Sequence, residues 1–250
     1  MSEHFYDELA PYYQYLYPDW EASCAQQAAA LDGIIRDYIG PHAQTVLDAA
    51  CGIGTQCIGL AQRGYTVTAS DIAAVAVDRA RTEALQCGLS ITFHTADMRA
   101  LDAVAPYPFD VVIACDNAIP HLLSDTDILL AFEQFYQRTA PGGGCILSVR
   151  DYASMALGGI QTYHRLTHRT STGYLVVFDV WVFDGPFYDM TTYLVEDQGG
   201  PTAQARVIRG GRYYGISIAA LERLLRQAGF RDVTTLQDRF FQPILIGLKT

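Results

Sequence analysis

Residues 46–72, VLDAACGIGTQCIGLAQRGYTVTASDI, constrain the fold more than any other part of the chain. A short apolar run passes through Asp48 into a turn carrying Gly52 and Gly54. A helical pattern follows, stopped by Gly64, and a second apolar run ends at Asp71. A strand that hands over to a helix and then to another strand makes a βαβ unit. Such units bury a parallel sheet between layers of helices.

The alternation continues. IAAVAVDRARTEALQCG reads as a helix ended by Gly88, and ITFHTADM as a third strand. FDVVIACDN is a fourth, its unbroken apolar run suiting a strand covered on both faces. Ser124 with Asp127 resembles a capping box, opening a helix that turns Ile128, Phe132 and Phe135 inward. PGGGCILSVRD is a turn into a fifth strand. Upstream, Ala28, Leu31, Ile35 and Tyr38 recur at helical spacing.

From about Gln161 the pattern changes. TYHRLTHRT, GYLVVFDVWVFDG, FYDMTTYLVED and ARVIRGGRYYG are rich in Val, Tyr and Thr and read as antiparallel strands. SIAALERLLRQAGF is a helix with Ser217 as N-cap and Ile218, Leu221, Leu225 and Ala228 on one face. DVTTLQD and QPILIGLK return as strands, one of them antiparallel. The expected fold is α/β: a Rossmann-like, doubly wound, mostly parallel seven-stranded sheet, with an antiparallel β insertion before the last helix.

Length and composition narrow the function. With 250 residues, half of them apolar, the chain can bury a substantial core. Its net charge of −10 argues against a nucleic-acid partner, which needs a basic surface. Arg206, Arg209 and Arg212, spaced in threes, suit a solvated edge strand better than a phosphate-binding stripe. There is no apolar run long enough to cross a membrane and no basic, apolar leader, so no membrane partner and a cytoplasmic location are expected. The six cysteines are scattered without a CxxC pair, as small hydrophobes in a reduced protein. The six histidines lack ligand-like spacing, and no metal is expected.

Ligands of such sheets bind at the carboxyl ends of the strands. That rule selects residues 48–55, Asp71, Asp97, residues 116–121 and Arg150 with Asp151. A phosphate loop would need a Lys followed by Ser or Thr after its second glycine, and no lysine lies in the region. A dinucleotide loop would need a third glycine where Cys57 stands; Gly59 comes two residues later. What remains is a GxG turn that lets backbone approach a ligand closely. An acid lies roughly twenty residues on, placed for ribose hydroxyls. Acids beside a loop without cations suit an uncharged adenosine that carries a positive group.

VLDAACGIGT resembles the first motif of the class I S-adenosylmethionine-dependent methyltransferases, and the likeness continues in order along the chain. It implies S-adenosylmethionine as cofactor and S-adenosylhomocysteine as product. It places Asp71 on the ribose, TADM with Asp97 and Met98 at the adenine, and APGGGCILSV at the turn into the fifth strand. Asp48, Ala50, Gly52, Gly54, Ile72 and Cys115 complete the expected cofactor contacts, with Tyr6 and Tyr13 from the N-terminal segment. Asp48 either orders the glycine loop or receives the methionine amino group, and Asp71 also suits a helix N-cap.

ACDNAIPHL and SVRDYASM are further similar to glycine and sarcosine N-methyltransferases. That resemblance implies Asn117 beside the substrate and Arg150 clamping its carboxylate. Asp116 departs from the animal members, which have Gly there, and an added carboxylate favours a more cationic or larger amine. Each assignment has a plainer counterpart. Arg150 suits a salt bridge with Asp151. His121 suits a proton relay, or a packed histidine bonded to backbone. Tyr6, Tyr12 and Tyr13 can enclose a cation or dock the N-terminal segment, and Tyr213 and Tyr214 can face the pocket or pack a strand.

The expected organisation is an aromatic-rich helical lid over 1–40, a cofactor-binding core over 41–155, a β insertion over 156–215 and a C-terminal helix and strands over 216–250. The expected reaction is methyl transfer by in-line displacement to the amino group of glycine, sarcosine or a related amino acid. The alternatives are an N- or O-methyltransferase of a larger natural-product intermediate, with Trp181, Phe183, Phe187 and Tyr188 lining a deeper pocket, and a non-catalytic cofactor-binding subunit. The insertion would cover substrate or join copies of the chain into a homo-oligomer. CDNAIPH lacks the paired prolines and aromatic of nucleic-acid methyltransferases, so the partner is a small molecule.

Overall fold

A computed structural model describes residues 2–104, 107–155 and 158–250. Helix α1 (Ser2–Leu9) and a 3-10 segment (Ala10–Leu16) lead into α2 (Trp20–Tyr38). Strand β1 (Thr45–Asp48), α3 (Thr55–Gln62), β2 (Thr66–Asp71), α4 (Ala74–Gln86) and β3 (Thr92–Thr95) alternate. Then come β4 (Phe109–Ala114), α5 (Asp125–Arg138) and β5 (Thr139–Ser148). Four long strands follow: β6 (Ile160–Arg169), β7 (Tyr174–Asp184), β8 (Phe187–Asp197) and β9 (Gln204–Tyr214). Helix α6 (Ile218–Ala228), β10 (Arg231–Leu236) and β11 (Ile244–Leu248) close the chain. The expected start of the insertion at residue 156 lies outside the described residues.

The main sheet has seven strands in the order β10-β11-β5-β4-β1-β2-β3. The pairs β1–β2, β2–β3, β1–β4 and β4–β5 are parallel, and β11 runs antiparallel to both β5 and β10. The chain winds outward from β1 in one direction and from β4 in the other. The loops leaving the carboxyl ends of these two strands therefore diverge and open a crevice. Val111, Val112, Ile113 and Ala114 are fully buried, as the apolar run of β4 requires. The expected α/β fold is the one found.

The second sheet is a four-stranded antiparallel meander, β6-β7-β8-β9. Its inner face shares one core with the main sheet: Val177, Trp181, Tyr188 and Ile208 belong to the same apolar cluster as Leu47, Val112 and Phe132. Strand β9 is an edge strand, where Arg212 pairs with Asp184 and Asp189, as the arginine spacing suggested. Helix α1 lies against β9 with Phe5 fully buried, and its ring packs against Gly211. In α6 Leu221, Leu224 and Leu225 are buried, and Ile218 and Ala228, partly buried, pack against the same core, as expected. Among the described residues no helix is long and apolar enough to cross a membrane.

Candidate active site

A cavity of about 340 Å³ opens at the carboxyl ends of β1, β2 and β4. Ala50, Gly52, Asp71, Ile72, Asp97, Met98, Cys115 and His121 line it, and Tyr6 and Tyr13 close it from the N-terminal segment. Its size falls in the range of small-molecule pockets, about 300–1,000 Å³.

The glycine loop is built for close approach. Gly52 and Gly54 have φ of 50° and 101°, where L side chains are strained. A Cβ at Gly54 would lie 2.7 Å from Ile58 Cδ1, whereas one at Gly52 would meet nothing. Gly54 thus stands behind the wall, where α3 begins, and Gly52 presents open backbone to the cavity. Asp71 holds the loop: Oδ2 accepts from Gly52 N at 2.8 Å and Oδ1 from Ala73 N at 2.9 Å. Each oxygen retains a second acceptor site. Burial raises the Asp71 carboxyl above its ordinary value, and these backbone amides work against that rise.

Asp48 does not line the cavity. It is 1% exposed, its Oδ1 accepts from Ala50 N at 3.3 Å, and its buried Oδ2 has no hydrogen-bond partner. Burial, with a smaller push from Asp71, lifts its carboxyl to about 7. Asp97 also lines the cavity, gripped by Arg99 through Nη2 to Oδ2 at 2.6 Å, while Arg99 Nη1 bonds Asp127 at 2.9 Å. Burial works to raise Asp97, but the Arg99 bonds outweigh it and its carboxyl is held low. Arg99 and Asp127 also line the cavity. Sequence reading missed both, having used Asp127 only as a cap. That cap exists: Ser124 Oγ accepts from Asp127 N at 3.1 Å.

His121 is both a packed histidine and a cavity residue. Its Nδ1 lies 3.0 Å from the Arg212 carbonyl and its Nε2 2.8 Å from the Tyr6 hydroxyl. A carbonyl only accepts, so Nδ1 carries the proton and Nε2 accepts from Tyr6. Tyr6 in turn accepts from Tyr213, 3.1 Å away. Burial, reinforced by the Arg150 charge, lowers His121 to about 3, so the ring is neutral.

After β4, Asp116 and Asn117 both adopt left-handed backbone, with φ of 55° and 65°. Asp116 N donates to Ser148 Oγ at 2.7 Å and Asn117 N to the Ser148 carbonyl at 3.0 Å, pinning this loop to the end of β5. Asn117 is 1% exposed and stands off the cavity. Its Oδ1 accepts from Arg150 N at 3.0 Å and its Nδ2 donates to Tyr152 at 2.7 Å. Asn117 is therefore a positioning residue for Arg150 and Tyr152.

Arg150 also stands behind the wall. Its guanidinium lies 5.2 Å from the Trp181 ring and 6.0 Å from that of Tyr213, and Nη1 donates to Tyr188 at 3.3 Å. Tyr188 stacks between Trp181 and Tyr213, with ring centroids 4.4 and 4.8 Å away. Asp151, the alternative partner for Arg150, instead accepts from Ala153 N. Among the described residues no carboxylate lies within 4.0 Å of Arg150. The buried Trp181 Nε1 has no hydrogen-bond partner either.

The aromatic expectations divide. Tyr12 does not line the cavity; it is partly buried against the core, with its ring under Arg206, 4.8 Å from the guanidinium carbon. Tyr213 faces inward, whereas Tyr214 bonds Asp125 and lies against Phe187, with ring centroids 5.4 Å apart and the planes tilted by 35°. Successive strand residues point to opposite faces, so the pair had to split. Phe187 lies with it, away from Arg150, while Trp181 and Tyr188 enclose that arginine.

These residues fit S-adenosylmethionine. A cavity-facing carboxylate with spare acceptor sites stands at Asp71, and open backbone at Gly52. Residues 46–143 match the family model described as a methyltransferase domain. The chain is 25% identical over 220 residues to the glycine/sarcosine N-methyltransferase of Halorhodospira halochloris, covering 88% of this chain and 76% of that one. It is 30% identical over 142 residues to the ubiquinone biosynthesis O-methyltransferase of Stutzerimonas stutzeri, covering 54% and 60%. The match to that relative spans less than two thirds of its length. Among solved structures, the S-adenosylmethionine-bound amino pentose methyltransferase CalS10 from Micromonospora echinaspora superposes with a TM-score of 0.77 at 19% identity, covering 91% of this chain and 92% of that one. The glycine loop, the acid at the end of β2 and the methyltransferase domain matched over residues 46–143 agree: the chain carries an S-adenosylmethionine-dependent methyltransferase domain.

Proposed function

We propose that this enzyme methylates the amino group of a small amino acid: glycine, sarcosine or a close relative. The observation that carries the reading is Arg150, a guanidinium enclosed by Trp181, Tyr188 and Tyr213 with no carboxylate partner among the described residues. A buried cation without a counter-ion is costly unless a ligand supplies the anion. A guanidinium matches a carboxylate through paired hydrogen bonds. A relative named for glycine and sarcosine supports the same acceptor class.

When bound, S-adenosylmethionine supplies a methyl group already activated on a sulfonium. The chain's own residues then have to align the nucleophile and exclude water. Asp71 and the Gly52 backbone hold the adenosine end. Tyr6 and Tyr13 cover the cavity as part of a lid over 1–40. The insertion strands β7, β8 and β9 cover the acceptor by supplying the rings around Arg150. Neutral His121, accepting from Tyr6, keeps the polar wall beside them hydrogen-bonded and uncharged.

The test is Arg150→Lys. A lysine keeps the charge and loses the fork, so the Michaelis constant for the amino acid should rise tenfold or more, while that for the cofactor stays within about twofold. Equal rises in both would remove the carboxylate clamp.

A further inference from the structure

Arg150 has a counterpart of opposite sign on the cavity wall. Asp116 lines the cavity, between Cys115 and the lining residue Ala118. Its carboxylate accepts from two phenols of the N-terminal segment: Tyr13 and Tyr17 each reach Oδ2 at 3.1 Å. Among the described residues Oδ1 receives only the Gln242 side-chain amide, at 3.5 Å. Among the described residues no Lys, Arg or His lies within 4.0 Å of either oxygen. Nor do Asp116 and Arg150 pair with each other, although both act on Tyr6 electrostatically. The backbone at Asp116 is left-handed, where glycine would sit without strain, yet the chain carries a carboxylate there.

Asp116, a cavity-lining anion with no cation bonded to it, and Arg150, a buried cation behind the wall with no carboxylate bonded to it, are near enough to act on each other through space. An amine alone would satisfy Asp116 and leave Arg150 unpaired; an anion alone would do the reverse. A zwitterion satisfies both. We propose that Asp116 recognises the ammonium group of the acceptor and, with Arg150, makes the enzyme select zwitterionic amino acids. This rests on the amino-acid reading above. Tyr13 and Tyr17 orient the carboxylate and leave Oδ1 as its receiving oxygen.

The role has a signature that a structural latch lacks. An amine attacks only when neutral, and a nearby carboxylate favours its protonated form. The rising limb of kcat against pH reports that proton in the bound complex. The experiment compares wild type, Asp116→Asn, Asp116→Gly and Tyr17→Phe. It measures glycine and sarcosine turnover across pH, and the affinities of glycine and of glycolate, its hydroxyl analogue, for the S-adenosylhomocysteine-bound enzyme. Asp116→Gly suits the left-handed backbone and keeps the test open if Asp116→Asn does not fold.

Wild type and Tyr17→Phe should bind glycine more tightly than glycolate. Both Asp116 variants should lose that preference by tenfold or more, and their kcat limb should move to lower pH. An unchanged preference and limb in the Asp116 variants, with Tyr17→Phe weakening glycine as much as they do, would reduce Asp116 to a latch. A selective loss of S-adenosylmethionine over S-adenosylhomocysteine affinity, with the acceptor unaffected, would assign the carboxylate to the sulfonium instead. Turnover of amino acids with Asp116 irrelevant overturns this inference alone. No amino acid bound or turned over, with cofactor binding intact, overturns the amino-acid reading and this inference together.

Discussion

Asp48 and His121 are ionisable groups whose neutral forms burial favours, and they act on stability in opposite directions. The Asp48 carboxyl is pushed up to about 7, so between about pH 4 and 7 the folded state holds a proton that the unfolded chain has released. Its effect is therefore a loss of stability as pH rises through that window. His121, held at about 3, gains stability with rising pH, between about 3 and 6.5. Asp48→Asn removes the first effect and keeps the second. Chemical denaturation of the cofactor-free protein should show the variant gaining on wild type by about 2–4 kcal/mol from pH 4 to 8. A constant difference across pH would mean that Asp48 titrates normally. At this scale the sequence was informative where function rests on local motif: Gly52, Asp71 and Met98 line the cavity as read. It was silent on Arg150's surroundings, because Trp181, Tyr188 and Tyr213 come from distant strands. It misjudged Tyr12, since nothing local reports which way a ring in a 3-10 segment points.

Among the elements, α3 shows what the missing third glycine of a dinucleotide loop became. Gly59 lies where α3 meets α2: a Cβ there would come within 2.6 Å of Ala28 Cβ and 2.7 Å of the Cys24 carbonyl oxygen. Close packing is kept, but displaced two residues and directed at a helix. Gly59→Ala gains about 1 kcal/mol of helix propensity. It must also push α2 and α3 apart, and overpacking costs about 1–3 kcal/mol. The balance should be a lower denaturation midpoint with an unchanged slope. A raised midpoint would show that the contact yields freely. The strands and helices were legible because alternating pattern and caps are local: Ser217 accepts from Ala220 N and Ser124 from Asp127 N, as spacing suggested. The docking of α1 against β9 and α4 was not, since the fit of Phe5 to Gly211 joins residues far apart in sequence.

Across the whole molecule, two sheets and an N-terminal cover converge on one cavity. The parallel sheet supplies the cofactor wall at its switch point, and the antiparallel sheet supplies the rings about Arg150. Helix α1 spans both: Asp7 accepts from Val75 N at the start of α4, and Tyr6 bonds His121 and Tyr213. If this segment is a lid, amide hydrogens over residues 2–16 should exchange more slowly with S-adenosylhomocysteine and glycine bound than with neither. Equal exchange would make it a fixed part of the wall.

The most direct test of the account is product formation. Purified protein is incubated with S-adenosylmethionine and, separately, glycine, sarcosine and their carboxamides, and the products are read by mass spectrometry. The account predicts amino acids one methyl heavier with equal S-adenosylhomocysteine, far less from the carboxamides, and loss of the preference in Arg150→Lys. Methylation of the carboxamides as fast as the acids, or none of either while cofactor binding is intact, would contradict it.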